Sequence, residues 1–353
     1  MNSFLSLRPL RLPEIIDSGF RQYRKHFRVL FPYLLGLGIL SAIVQSFFVG
    51  NNNTDLLNTL QSNGTFDSAT FFSMYFRLIG LSLAISLIES IIQSIVITLC
   101  ALCMWLSMRN IPFQAGTLWH ELRVRLGKVL GLTLLSGLFY FLAIIWFIVP
   151  LVGWISGLGL LMIFQGFVVP IATPVLVFEN LPLPQILGRA WRLTRRRFWW
   201  SAGLLATTFL LTYALQGVLT TVLAILLQYT DISLQVNALY VLQAVNVTIT
   251  TLISFGILYP ITNFYMNTVY LDLRVRTEGL DIQMAAQPRL APNNTLAPNA
   301  FAITADEHYP QLIRMQDYGY LVGLSFMVFA LIAVFFGIGI GLAFIAVAAS
   351  AGM

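Results

Sequence analysis

The sequence predicts an all-helical (all-α) bundle that crosses a membrane several times, and three observations predict it. Hydrophobic residues fill 58% of the 353 positions and charged residues only 10%, against about 25% charged in soluble globular domains. The apolar positions gather into runs long enough to cross a bilayer core of about 30 Å, which takes roughly 20 helical residues. The 20 basic residues outnumber 14 acidic ones, for a net charge of +6, and fall almost wholly on alternate connecting segments.

Six spans are expected at 29–49, 78–106, 129–149, 152–178, 200–228 and 238–271, with a detached seventh at 318–349. The segment 1–28 carries Arg8, Arg11, Arg21, Arg24, Lys25 and Arg28 before the first apolar run. It is too long and too amphipathic for a cleaved signal peptide and reads as a cytoplasmic segment with an interfacial helix. Segment 50–77 reads as Asn-rich turns followed by Phe71, Phe72, Tyr75 and Phe76. Val149, Pro150 and Leu151 barely separate the third and fourth spans, and Pro150 with Gly153 predicts a tight hairpin turn. The sixth run is too long for one straight crossing, so Pro260 is expected to kink or end it, with Tyr259, Tyr265 and Tyr270 at the interface. Residues 272–317 contain Pro288, Pro292, Pro298, Pro310 and Asn293-Asn294, which reads as a poorly structured linker. Residues 318–353 hold the seventh span and the carboxy terminus. Its small residues Gly337, Gly339 and Gly341 suit either close packing on another helix or a simple tail anchor.

The charges orient these spans. The connections after spans one and five carry Asp55, Asp67, Asp231 and a single basic residue, Arg77, whereas the other 19 basic residues lie on the opposite side. By the positive-inside rule that side is cytoplasmic. The expectation is a multi-pass protein of the cytoplasmic (inner) membrane, amino terminus inside and, with seven spans, carboxy terminus outside.

The three segments that enter odd-numbered spans repeat without gaps. Pro13, Pro112 and Pro184 superpose, as do Phe20, Trp119 and Trp191, then Arg24, Arg123 and Arg195, then Phe27, Leu126 and Phe198. Proline suits the first turn of a helix. At about 100° per residue, Ile16, Phe20, Tyr23 and Phe27 form one stripe beside Arg21, Arg24, Lys25 and Arg28. Leu187, Trp191, Thr194 and Phe198 form another beside Arg192, Arg195 and Arg196. The six-span core is therefore expected to comprise three units, each an interfacial amphipathic helix followed by a two-span hairpin. Helices of this kind lie apolar side down with guanidinium groups at the lipid headgroups. Arg21, Arg24, Lys25, Arg192, Arg195, Arg196 and Arg197 are thus candidates for anionic phospholipid on the inner leaflet. The plainer alternative is that they only set topology. Nucleic acid is not an expected partner, because the aromatic residues belong to the membrane-facing stripe.

Glu89 is the one ionisable residue deep within an expected span, and such carboxyls are functional candidates by default. Ser82, Ser86, Glu89, Ser90 and Gln93 recur at three and four residues, and the sixth span offers Gln243, Asn246, Thr250 and Ser254. Facing one another, these stripes would line a polar path for an ion or solute. Otherwise they serve as hydrogen bonds between helices. Cys100 and Cys103 read as small packing residues. His26, His120 and His308 stand far apart in the sequence, so no His/carboxylate metal site is expected, nor any catalytic residue or cofactor.

The residues also carry a resemblance. Leu7-Arg8-Pro9-Leu10 with Glu14-Ile15-Ile16-Asp17 and Phe20-Arg21-Gln22-Tyr23-Arg24, then Trp191-Arg192-Leu193-Thr194-Arg195 with Phe198-Trp199, and finally Tyr270-Leu271-Asp272-Leu273-Arg274-Val275-Arg276-Thr277-Glu278-Gly279, resemble the membrane-domain family associated with bacterial glycerophosphoryl diester phosphodiesterases. In that family the membrane domain either precedes a soluble phosphodiesterase domain or stands alone without an assigned activity. No acidic and histidine metal constellation follows residue 279, so the resemblance implies the stand-alone form. The reading is a noncatalytic module that interacts with lipid or scaffolds a protein partner. Its alternative is a small-solute or ion transporter built on Glu89 and Asn246.

Overall fold

Long apolar runs with few helix breakers fold as long helices, because inside a bilayer each backbone donor and acceptor must be satisfied within its own segment. The computed structural model describes residues 8–62, 68–109, 111, 115–150, 152–228, 236–286, 314–327 and 330, and among them there is no strand. In order, the helices are α1 (Leu12–Ser62), α2 (Ser68–Met108), α3 (Ala115–Trp146), α4 (Val152–Leu161), α5 (Val169–Glu179), α6 (Leu183–Arg196), α7 (Phe198–Gln228), α8 (Val236–Ile253), α9 (Tyr259–Glu278) and α10 (Leu280–Ala286). Five helical stretches among the described residues are long and apolar enough to cross a membrane: Leu12–Phe47, Gly80–Met108, Gly116–Trp146, Val152–Glu179 and Ala244–Glu278. They match the first, second, third, fourth and sixth expected runs, and α7 covers the fifth, 200–228.

Several expectations need correction. No separate interfacial helix precedes the first span: α1 runs 51 residues without a break, because nothing around Arg28 and Val29 interrupts its hydrogen-bond ladder. Pro32 only removes the bond to the Arg28 carbonyl. The middle copy is likewise continuous with its span in α3. Only the third copy, α6, is a helix of its own, ended where Arg197 leaves helical geometry at φ −135° and ψ 55°. The expected turns at 50–77 are helix through Ser62 and again from Ser68. The sixth span continues past residue 271 to Glu278, where Gly279 takes a left-handed φ of 64° and caps it. Residues 280–286 of the expected linker are helix α10, and residues 287–313 lie outside the described residues. Of the seventh span, 315–327 is helical; the glycines at 337, 339 and 341 lie outside the described residues.

The hairpin between spans three and four forms as expected. The Gly153 N–H donates to the Val149 carbonyl at 2.9 Å. A Cβ on Gly153 would lie 2.1 Å from the Trp146 carbonyl oxygen, so this turn requires glycine.

Proline does not end the even-numbered spans. Pro170 and Pro260 each follow a π-helical turn, Met162–Val168 and Ser254–Leu258, within a shared Gly-x-x-x-Pro-Ile pattern (Gly166 to Ile171, Gly256 to Ile261). Pro260 has no N–H to give the carbonyl of Gly256 four residues earlier. The Tyr23 hydroxyl of α1 donates to that oxygen instead, so the weak point of one helix becomes a tie to another.

The core sits toward the basic end of the bundle. Ile15, Leu30 and Leu34 of α1, Leu99 to Leu106 of α2, Ile171 to Phe178 of α5, Ile186 and Leu193 of α6, and Phe264 to Leu273 of α9 are buried together. Gly19 lets α1 lie on the α9 backbone, since a Cβ there would sit 3.2 Å from the Tyr265 nitrogen. The opposite half presents apolar side chains outward, with Phe47 71% and Ile148 77% exposed, as suits hydrocarbon contact.

Candidate functional site: a buried ionic ring beneath a basic face

Helix α9 carries Asp272, Arg274, Arg276 and Glu278 at two-residue spacing. On a helix this sends the i,i+4 pairs Asp272/Arg276 and Arg274/Glu278 to different sides, and each side meets a different set of partners.

On one side Arg189 of α6 bridges Glu179 at the end of α5 and Glu278. Its Nε lies 3.0 Å from Glu179 Oε2, and its Nη2 donates to Glu278 Oε2 at 2.7 Å. Arg274 closes the ring, with Nε 3.0 Å from Glu278 Oε2 and Nη1 3.5 Å from Glu179 Oε1. The Tyr270 hydroxyl donates to Glu179 Oε1 at 2.8 Å. Two guanidinium groups and two carboxylates thus alternate, formally neutral and almost wholly buried. Burial works against the charged form of Arg189, but hydrogen bonding to Glu278 and the charges of Glu179 and Glu278 outweigh it and push its pKa above the usual range. Such a ring fixes how α5, α6 and α9 meet, since a misaligned arrangement would leave bare charge inside.

On the other side Asp272 ties the amino-terminal segment to α7 and α9. It accepts from the Leu10 backbone N–H at 2.8 Å, from Arg276 Nε at 2.7 Å and from Trp200 Nε1 at 3.4 Å. Arg276 also donates to the Leu10 carbonyl at 2.5 Å, and its guanidinium lies 4.9 Å from the Trp200 ring centroid, a cation–π contact. The three sequence segments singled out above therefore converge on one point, through Leu10, the α6/α7 region and α9.

The basic residues predicted to face lipid divide into two sets. Arg21, Arg24, Lys25, Arg196 and Arg197 are exposed. Arg21 pairs with Asp17 one turn away, and Lys25 Nζ donates to Ser107 Oγ at 2.8 Å. Arg196 donates to the Thr277 carbonyl at 3.2 Å, and Arg192 is half-buried. Arg195 is committed within the chain, 3.1 Å from Asp317. The third aromatic stripe is a correction too: Trp191 is 8% exposed, against 42% for Phe20 and 59% for Trp119. Its stripe faces protein, with Phe198 stacked between Phe167 and Tyr320 at 5.1 and 4.1 Å.

The intramembrane polar residues do not form one facing pair of stripes. Glu89 accepts from Ser41 of α1 at 2.7 Å, while Gln45, one turn further along α1, accepts from Thr251 of α8 at 3.1 Å. Helix α1 therefore stands between Glu89 and this part of α8. Gln93 reaches the Tyr259 hydroxyl at 3.5 Å, and Asn246 bonds Thr250 of its own helix at 3.2 Å. A recess of about 210 Å³ between α1 and α8 is lined by Gln45, Asn246, Thr250, Thr251, Ser254 and Tyr259 among others.

Sequence reasoning missed Glu179, Arg189, Asp272, Arg274, Arg276 and Glu278 as a unit. The signal available was the alternating acid-base-base-acid run at the end of an apolar helix, which fits interior pairing better than a solvated linker.

Fold and site together define an all-helical protein of multi-pass membrane type, with an exposed basic face over a neutral ionic ring. Comparison with protein-family models, curated proteins and solved structures returned no match.

Proposed function

We propose that this protein is a noncatalytic multi-pass module of the cytoplasmic membrane, its basic face held on anionic phospholipid of the inner leaflet and open to a protein partner. The observation that carries this reading is the company the exposed charges keep. Arg24, Arg28, Arg123 and Arg197 stand exposed among the exposed aromatic side chains Phe20, Phe27, Trp119 and Trp199. Aromatic rings at the interface level beside cations suit a headgroup layer, and each basic residue near an anionic leaflet contributes about 1 kcal/mol. The acidic groups beneath are occupied by one another's partners, so they do not cancel that face. The same orientation puts the amino terminus inside, and the resemblance to the phosphodiesterase-associated membrane-domain family agrees with a membrane module.

Reversing one exposed arginine in each unit, Arg28→Glu, Arg123→Glu and Arg197→Glu together, is expected to lower the phosphatidylglycerol that co-purifies with the chain severalfold. Insertion is checked in parallel by accessibility of introduced cysteines. Unchanged retention in a correctly inserted variant sinks the reading.

A second reading, passage of a small solute or ion, is favoured by the polar recess beside Gln45 and Asn246. Solute uptake into proteoliposomes that disappears with Asn246→Leu would select it over the first.

A further inference from the structure

The threefold repeat gives three equivalent positions for an aromatic residue, an arginine and an apolar residue, and the protein itself fills one of them. In the third unit Asp317 sets its carboxylate 3.1 Å from Arg195, and Tyr320 stacks on Phe198 at 4.1 Å. The segment 314–327 thus supplies an anion to the arginine and an apolar body to the ring beyond it. In the first unit the matching residues Phe20, Arg24 and Phe27 are exposed, and with Tyr23 and Ile261 they line a groove of about 370 Å³ between α1 and α9.

We propose that this groove binds one anionic phospholipid, with its phosphate on Arg24 and an acyl chain along Phe27. The proposal rests on the reading of the basic face as a headgroup surface. By the repeat, the phosphate takes the place that Asp317 holds on Arg195, and the acyl chain takes that of Tyr320 on Phe198.

Charge favours a single phosphodiester. Asp17 also lines the groove and pairs with Arg21, which leaves Arg24 as its net positive charge against the single negative charge of such a headgroup. Shape favours an acyl chain over a partner's helix. The apolar wall continues toward the bilayer interior, Phe27 to Phe31 at 4.8 Å between rings on α1, and Ile261 to the exposed Ile257 one turn deeper beside α1. Gly256 keeps the floor low there, with only the Phe31 ring within 4 Å of where its Cβ would be. These residues form the track that an acyl chain would follow.

Native mass spectrometry of the full chain in mild detergent tests the proposal, with dioleoyl phosphatidylglycerol, dioleoyl phosphatidylcholine, inorganic phosphate and a peptide of sequence 314–327 as probes. The wild-type chain is expected to keep one phosphatidylglycerol more tightly than any other, and Arg24→Gln and Arg24→Glu to weaken it about tenfold, the worth of one charge-assisted contact. Ile257→Trp, which blocks the track without touching charge, is expected to weaken it too, while Lys128→Gln, which removes a charge on α3, leaves this one lipid in place. All variants are first matched to wild type in thermal midpoint, and the two Arg24 variants back each other if one fails to fold. Equal weakening by the Arg24 and Lys128 variants overturns the groove but leaves the general basic-face reading standing. No preference of the wild-type chain for phosphatidylglycerol over phosphatidylcholine overturns both. Displacement of the lipid by free phosphate, or tighter binding of the acidic peptide than of the lipid, also overturns the groove as a lipid site.

Discussion

Replacing Arg189 by methionine is expected to destabilise the folded chain by about 3–5 kcal/mol, the range for removing one partner from a buried ion pair. Methionine roughly keeps the volume and the apolar stem, so the loss reports charge. Glu179 and Glu278 would then share only Arg274, at 3.5 and 3.0 Å, and one carboxylate would be left buried without compensation. Unfolding in detergent by denaturant titration measures it. Adding Glu278→Gln to Arg189→Met is expected to recover part of the loss, because the orphaned charge is then gone. A loss below about 1 kcal/mol would put the ring in the class of exposed surface pairs.

Asp272→Asn is expected to cost about 3 kcal/mol, from loss of hydrogen bonds to a charged group at about 1.5–3 kcal/mol each, partly kept by the amide oxygen. The carboxylate accepts from three donors at once, Leu10, Arg276 and Trp200. An asparagine turns an N–H₂ toward some of them. The effect should be local as well as global: amide exchange of residues 10–12 should rise well above that of α9. Exchange that stays at the wild-type rate there would mean that the amino-terminal segment is held by packing alone.

Composition and hydropathy made the helical class, the Val149–Gly153 hairpin and the burial of Cys100 and Cys103 legible in the sequence. Those features depend on neighbours within a few residues. The ionic ring does not, since Glu179 and Glu278 are brought together only by the fold, and α9 was read as ending at residue 271 because charged residues usually mark a way out of the membrane. The same rule misplaced the third aromatic stripe. Trp191 and Phe198 carry the pattern of a lipid-facing surface, but nothing local announces that Asp317 and Tyr320, more than a hundred residues later, come back to pair with Arg195 and stack on Phe198. Helical period tells which residues share a face, and only the tertiary structure tells whether that face meets lipid or protein.

The same limit applies to the polar stripes. Glu89 and Asn246 were legible as intramembrane polar residues, yet α1, with Ser41 and Gln45, stands between Glu89 and α8. Serine and glutamine in an apolar helix carry too little signal to identify them as a divider in advance.

The central claim, that the basic face holds anionic lipid, is tested most directly by the lipids that the wild-type chain keeps when extracted from a membrane of equal phosphatidylglycerol and phosphatidylcholine. With several exposed arginines each contributing about 1 kcal/mol near an anionic surface, phosphatidylglycerol should be enriched at least about threefold in the retained fraction. A retained fraction with the same composition as the membrane would contradict it.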